Sequence, residues 1–294
     1  MMRRVAVIIM MVVLSLTACI RDKIPTCPPM EITVDVLDKN YSNISEFEEI
    51  GIEAQKEDLP FKEYVGTIYY RLSNPEDCSD IEIKGPFQVK TDKQTFTLSF
   101  NPSIPHGTYE LTVWGGLENA DCLSENADSL ILHDDGNIGE DIYLARGIFN
   151  YDAWNNSGRL EMERVKGQLT IITEGLQSGD LEIETKINGV CSLVDYNFNY
   201  QGTCGCSATR NLHIEKDKTV ALNLAPTATG KKAKVGIVYR DIQDNEYKPE
   251  DVEIEIKRNA ITAIKYTYNP DIYDFTIYLL IDGKWEKYHD MEID

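Results

Sequence analysis

The sequence predicts an all-β chain, built as two tandem β-sandwich domains behind an export leader. Three observations predict it. Apolar residues recur at every second position in short runs along most of the chain, as half-buried strands require. Turn-forming clusters separate those runs at intervals too short for strand–helix–strand units. The N-terminus carries two arginines and a short apolar segment that stops at a cysteine.

The leader comes first. Arg3 and Arg4 precede an apolar run from Val5 to Leu16, and the small residues Thr17 and Ala18 end it before Cys19. Twelve residues are too few to span a bilayer as a helix, so residues 1–18 read as a signal peptide. Leu16-Thr17-Ala18-Cys19 resembles a bacterial lipobox. That resemblance implies a diacylglycerol thioether on Cys19, cleavage before it and acylation of the new amine. Several acyl chains, at about 0.8 kcal/mol per buried CH₂, anchor a protein far more firmly than a single myristoyl group. Outer-membrane lipid is therefore an expected partner through Cys19.

Residues 19–30 form a tether, in which Pro25, Pro28 and Pro29 oppose helix. Strand alternation then starts with Ile32, Val34 and Val36. It returns at Phe96-Leu98-Phe100, Tyr109-Leu111-Val113, Leu181-Ile183 and Val220-Leu222-Leu224. Further runs are Val235-Ile237-Tyr239, Val252-Ile254-Ile256 and Phe275-Ile277-Leu279-Ile281. Asn101-Pro102, Pro105-His106-Gly107, Gly115-Gly116, Ser178-Gly179-Asp180 and Asp282-Gly283 mark turns. The acidic stretch 43–59 is the one place where a short helix is expected. Asn155-Asn156-Ser157-Gly158 breaks the pattern near the midpoint, which divides the mature chain into sandwiches at 31–158 and 159–294.

Acidic residues outnumber basic ones by 49 to 29, for a net charge of -20. Such a surface repels nucleic-acid phosphates, so DNA and RNA are excluded as partners. Seven cysteines less Cys19 leave Cys27, Cys78, Cys122, Cys191, Cys204 and Cys206. An even remainder in an exported chain favours disulfides. Cys191 with Cys204 or Cys206 is the preferred local pair, and Cys78 with Cys122 the second. The rival reading of Cys204-Gly205-Cys206 as half a zinc site fails on spacing and on the lack of a second pair.

No catalytic constellation emerges. His106, His133, His213 and His289 are isolated from one another and read as surface or structural residues. Nucleophile elbow, phosphate loop and dinucleotide fingerprint are all missing. The run Asp134 to Asp141 has oxygen ligands but not the calcium-loop spacing, so it reads as a solvated loop. No cofactor or metal is expected. Trp114 reads as core, whereas Trp154 and Trp285 lie near turns, where rings can stack on sugars.

Three stretches together resemble one family. Cys27-Pro28-Pro29 follows the lipobox closely and leads straight into a strand. Ile104-Pro105-His106-Gly107-Thr108-Tyr109-Glu110-Leu111-Thr112-Val113-Trp114-Gly115-Gly116-Leu117 is similar to a Pro-x-Gly-x-Tyr-x-Leu…Trp-Gly-Gly stretch. Leu160 to Ile171 resembles the strand pair that opens a second domain. The chain thus resembles the fimbrillin-associated anchor lipoproteins of Bacteroidales, the FimB-like minor fimbrial subunits, although residues 38–66 are more acidic and less strand-like than that pattern. The resemblance implies two transthyretin-like sandwiches and a non-enzymatic role at the base of a fimbrium on the outer membrane. It implies a shaft subunit as partner, met by β-strand addition. It also implies that the anchor keeps its own first strand, Glu31 to Leu37, and offers Ile272–Ile281 and Lys284–Ile293 to the shaft. The competing class is a surface glycan-binding lipoprotein.

Overall fold

The computed structural model describes residues 28–176, 179–213 and 218–288. The leader, Cys19, Cys27, His289 and the last five residues lie outside them. Strands make up the architecture, and the described residues contain no α-helix. In chain order the first half holds β1 (Glu31–Val36), β2 (Thr67–Ser73), β3 (Asp80–Gln88), β4 (Phe96–Ser99), β5 (Gly107–Gly115), β6 (Ser129–Ile131), β7 (Tyr143–Tyr151) and β8 (Ser157–Arg164). The second half begins with β9 (Gly167–Glu174), β10 (Asp180–Val190), β11 (Leu193–Asp195), β12 (Tyr200–Gln201), β13 (Cys204–His213) and β14 (Thr219–Leu224). It ends with β15 (Ala233–Asp241), β16 (Glu246–Tyr247), β17 (Val252–Ile254), β18 (Ile261–Asn269), β19 (Asp274–Ile281) and β20 (Lys284–Lys287).

Seven strands of the first half pair in the order β3-β2-β5-β7-β8-β1-β4. β7 and β8 meet at only two residue pairs, Tyr143 with Arg164 and Leu144 with Glu163. The sheet turns its corner there, and its two wings close on one core. Ile32, Val34, Leu98, Leu160 and Met162 from one wing meet Ile68, Tyr70, Leu72, Leu111 and Val113 from the other. In the second half, β13-β10-β15-β16 faces β14-β9-β18-β19-β20, with β17 added to β15. Ile183, Ile187, Val235 and Ile237 pack there against Leu169, Ile171, Val220, Ile264 and Ile277. Every alternating run read from the sequence lies in or runs just beyond one of these strands, with its apolar face inward.

The break at Asn155–Gly158 is the turn that feeds β8. Residues 157–162 run parallel to β1 at residues 31–36, from Glu31 opposite Ser157 to Val36 opposite Met162. The chain passes to the second half after Arg164, and Gly167 opens β9 where a Cβ would sit 2.1 Å from the Lys257 carbonyl oxygen. The short helix expected in residues 43–59 takes the form of two 3-10 turns, Ile44–Glu46 and Glu48–Ile50. Gly51, at φ 84°, stops the second turn. Phe47 is drawn into contact with Ile261 and Ala263, and the Asn43 side chain bonds both the N–H and the carbonyl of Ile261 at 2.9 Å. Tertiary contacts thus pin the segment in short turns.

A small third sheet, β12-β11-β6, joins the halves. β6 belongs to the first half, whereas β11 and β12 form a hairpin rising between β10 and β13.

Candidate assembly surface

β1 alternates exposed and buried positions, with Ile32, Val34 and Val36 almost fully covered. At about 1.5–3 kcal/mol per buried aliphatic side chain, these three contribute roughly 5–9 kcal/mol. Both of its edges are used, by β8 in parallel and β4 antiparallel. The ends are tied as well. The Glu31 N–H donates to the Asn156 carbonyl at 2.8 Å, and the Leu37 N–H to that of Met162 at 2.9 Å. The Tyr151 hydroxyl reaches the Pro28 carbonyl at 2.8 Å, and Arg159 pairs with Asp35 at 2.7 Å. The chain therefore fills this place between β8 and β4 with a strand of its own.

The C-terminal edge is different. β19 is an ordinary core strand between β18 and β20, burying Ile277 and Leu279 and stacking Phe275 on Tyr239 at 5.6 Å. Asp282 and Gly283, both at positive φ, make a two-residue hairpin turn between Ile281 and Lys284, a turn that requires that conformation. Among the described residues, β20 pairs with β19 alone. Its far side carries a row of backbone donors and acceptors, the feature that strand addition uses. Trp285 is half-buried beneath β20, with the Lys265 ammonium 4.7 Å from its ring centre. β3, another outer strand, is blunted by Pro86, which has no N–H to offer.

Behind β8 lies a buried polar junction. Arg164 donates to Asp141 at 2.7 Å, to the Tyr143 hydroxyl at 2.6 Å and to Asn259 at 2.8 Å. Burial opposes its charge, and Asp141, Tyr143 and Tyr41 outweigh that cost, so its pKa is raised. Lys166 is buried and donates to the carbonyls of Ile138 and Glu140 at 2.7 and 2.9 Å. Desolvation pulls its pKa down to about 8. The acidic run 134–141, considered for calcium, thus wraps an ammonium of the protein's own with its backbone. Asp134–Gly136 is a 3-10 turn beside it. Neither Arg164 nor Lys166 stood out in the sequence, because the partners that bury them are far away in the chain.

The remaining candidates are dispersed. His133 is buried, and His106 sits edge-on to Tyr151 at 5.5 Å. His213 contacts Asp180 at 2.6 Å. Among the described residues, no three His, Cys, Asp or Glu side chains are placed to hold a metal ion. Trp114 is core, as expected, its indole N–H donating to the Ala127 carbonyl at 2.9 Å, and Trp154 is 91% exposed. Cys78, Cys122, Cys191, Cys204 and Cys206 are all thiols in this structure. Cys78 is exposed after β2, Cys122 is half-buried in a cleft with Lys166, and Cys206 is core. The Cys204 thiol lies 3.7 Å from the Cys191 carbonyl oxygen.

No protein-family model matches the chain, and no curated protein matches it by sequence. Solved structures do. A candidate adhesin from Bacteroides ovatus is similar at a TM-score of 0.55 and 12% identity, over 93% of this chain and 98% of that one. A protein described as a candidate polysaccharide binding protein from Bacteroides thetaiotaomicron is similar at 0.51 and 10%, over 88% and 98%. The fimbrial anchor protein Mfa2 from Porphyromonas gingivalis is similar at 0.49 and 12%, over 88% and 99%. At such identities the likeness concerns the fold alone. The chain has, over nearly its whole described length, the β-sandwich architecture of the solved Bacteroides adhesin.

Proposed function

We propose that this chain is a non-enzymatic structural lipoprotein, held in the outer membrane by diacylglycerol on Cys19, that anchors a cell-surface fimbrium. The observation that carries the reading is the seated β1. A subunit whose first strand is clamped on both edges accepts no donor strand at that position, as befits the end of a polymer. The open side of β20 supports its C-terminal edge as the place where a shaft subunit adds a strand. The lipobox at Leu16–Cys19 and the resemblance to anchor lipoproteins support the membrane end of the arrangement.

The test separates the two ends. Cys19→Ser is expected to release the chain from membranes and abolish labelling by a fatty-acid probe, and unchanged retention refutes the anchor. Removal of residues 284–294 is expected to leave a folded, membrane-bound chain that no longer retains the shaft subunit. Undiminished retention refutes the C-terminal edge as the docking site.

Trp154 favours a second reading. It stands 91% exposed on a turn held by three hydrogen bonds to the Asp152 carboxylate, a rigid ring open to a sugar face. Retardation on polysaccharide gels that is lost in Trp154→Ala supports glycan binding, and equal mobility of the two proteins refutes it.

A further inference from the structure

The hairpin between β10 and β13 is a strap joining the two halves. β11 pairs with β6 of the first half from Leu193 opposite Ile131 to Asp195 opposite Ser129. Tyr196 lies under the Arg146 guanidinium of β7 at 3.4 Å, and Phe198 under that of Arg258 at 4.4 Å. The Tyr200 hydroxyl donates to the Val165 carbonyl at 2.6 Å. Cys191 enters this strap and Cys204 leaves it.

We propose that Cys191 and Cys204 form a structural disulfide that closes the base of the strap. The sheet register selects this pair. Val190 stands opposite Cys204 across the β10–β13 ladder. Opposed antiparallel residues have Cα atoms about 5 Å apart, and one further residue adds about 3.3 Å along the strand. Cys191 lies one residue past the end of β10, so strand alternation does not turn its side chain to the far face, and about 6 Å separates its Cα from that of Cys204, inside the range that disulfides span. Cys206 stands opposite Ile187, beyond the bulge between Asn188 and Val190, so about 10 Å of strand separates it from the level of Cys191, beyond bridging reach. The 3.7 Å contact from the Cys204 thiol to the Cys191 carbonyl places the sulfur at the right end of the strand. Burial raises the pKa of both thiols.

Closure removes two protons and two electrons from the thiols. The acceptor is the disulfide of an exported thiol oxidase: one cysteine thiolate attacks it to form a mixed disulfide, and the second thiolate attacks that bond, releasing the oxidase as a dithiol. This step rests on the export proposed above, whereas the pairing does not.

The experiment keeps the two apart. Full-length protein from the envelope fraction is denatured in N-ethylmaleimide without reductant and digested with chymotrypsin, which cuts at Leu193, Tyr196, Phe198 and Tyr200 between the cysteines. The expected product is a linked pair of peptides carrying Cys191 and Cys204, retained in Cys206→Ser and lost in Cys204→Ser. Fragmentation of the wild-type linked peptide assigns the sulfur if Cys206→Ser fails to fold. The same protein, reduced and then incubated with oxidised glutathione, is expected to regain that link. Alkylation of both cysteines after the glutathione step, or a link from Cys191 to Cys206, overturns the pairing. A link made by glutathione but missing in the envelope protein upholds the pairing and overturns the export on which its formation in the cell depends.

Discussion

His133 shows how one residue can set acid sensitivity. Its ring is 7% exposed, with Nδ1 3.0 Å from the Asn137 carbonyl and the Ala225 N–H donating to Nε2 at 2.9 Å. One ring nitrogen thus donates and the other accepts, which only neutral imidazole can do. Burial first, and the Lys166 ammonium second, hold the pKa down to about 4 from an ordinary 6.5. Between those two pH values the unfolded chain binds a proton that the folded chain refuses, so stability falls as pH falls through the window. The loss is roughly 3 kcal/mol across the window. Denaturant midpoints measured from pH 7 to 4 are expected to drop for the wild type and to change less in His133→Asn, a residue that tolerates the left-handed backbone of this position. Equal slopes in the two proteins overturn the assignment. The sequence marked His133 as surface or structural, and the structure makes it structural. Nothing local could have said so, because its two anchors come from a backbone loop and from Ala225, 92 residues away.

At the scale of elements, legibility followed the number of faces a strand buries. β1, β10, β14, β15 and β19 bury one face, so their apolar residues alternate and can be read directly. β2 does not alternate. Six of its seven residues are buried, because Ile68, Tyr70 and Leu72 face the first core while Tyr69 faces the second and Arg71 is held by Asp80 and by the carbonyls of Cys78 and Asn126. β3 is the reverse case, with no residue buried, so its alternating Ile81 and Ile83 stand exposed. The parallel pairing of β8 with β1 joins residues about 126 apart in the chain, and no local pattern encodes such a partner. The two kinds of strand should respond differently to the same substitution. Ile32→Ala in β1 is expected to cost about 2–5 kcal/mol, and Ile83→Ala in β3, 46% exposed, at most about 0.5 kcal/mol. Similar losses in urea titrations of the two variants contradict the central placement of β1.

For the whole molecule, the question is whether two sandwiches make two folding units. The core of the second sandwich is not self-contained. Tyr69, Trp114, Leu117, Ala127, Leu130 and Leu132 of the first half belong to the same buried cluster as Ile183, Val235 and Ile264. The strap adds Val194, fully buried at the centre of β11, and Arg258 of the second half grips Glu163 of β8 at 2.9 Å. Melting one half would strip cover from this shared apolar surface and leave Arg164 and Lys166 without the partners that offset their burial. Both losses fall on the half that remains, so the halves should unfold together. Calorimetry is therefore expected to show one transition whose calorimetric and van't Hoff enthalpies agree. Val194→Asp places an unpaired carboxylate where the strap meets both halves, and it is expected to split that transition into two. Two transitions already present in the wild type, or one shifted transition in the variant, would mean that the strap does not couple the sandwiches.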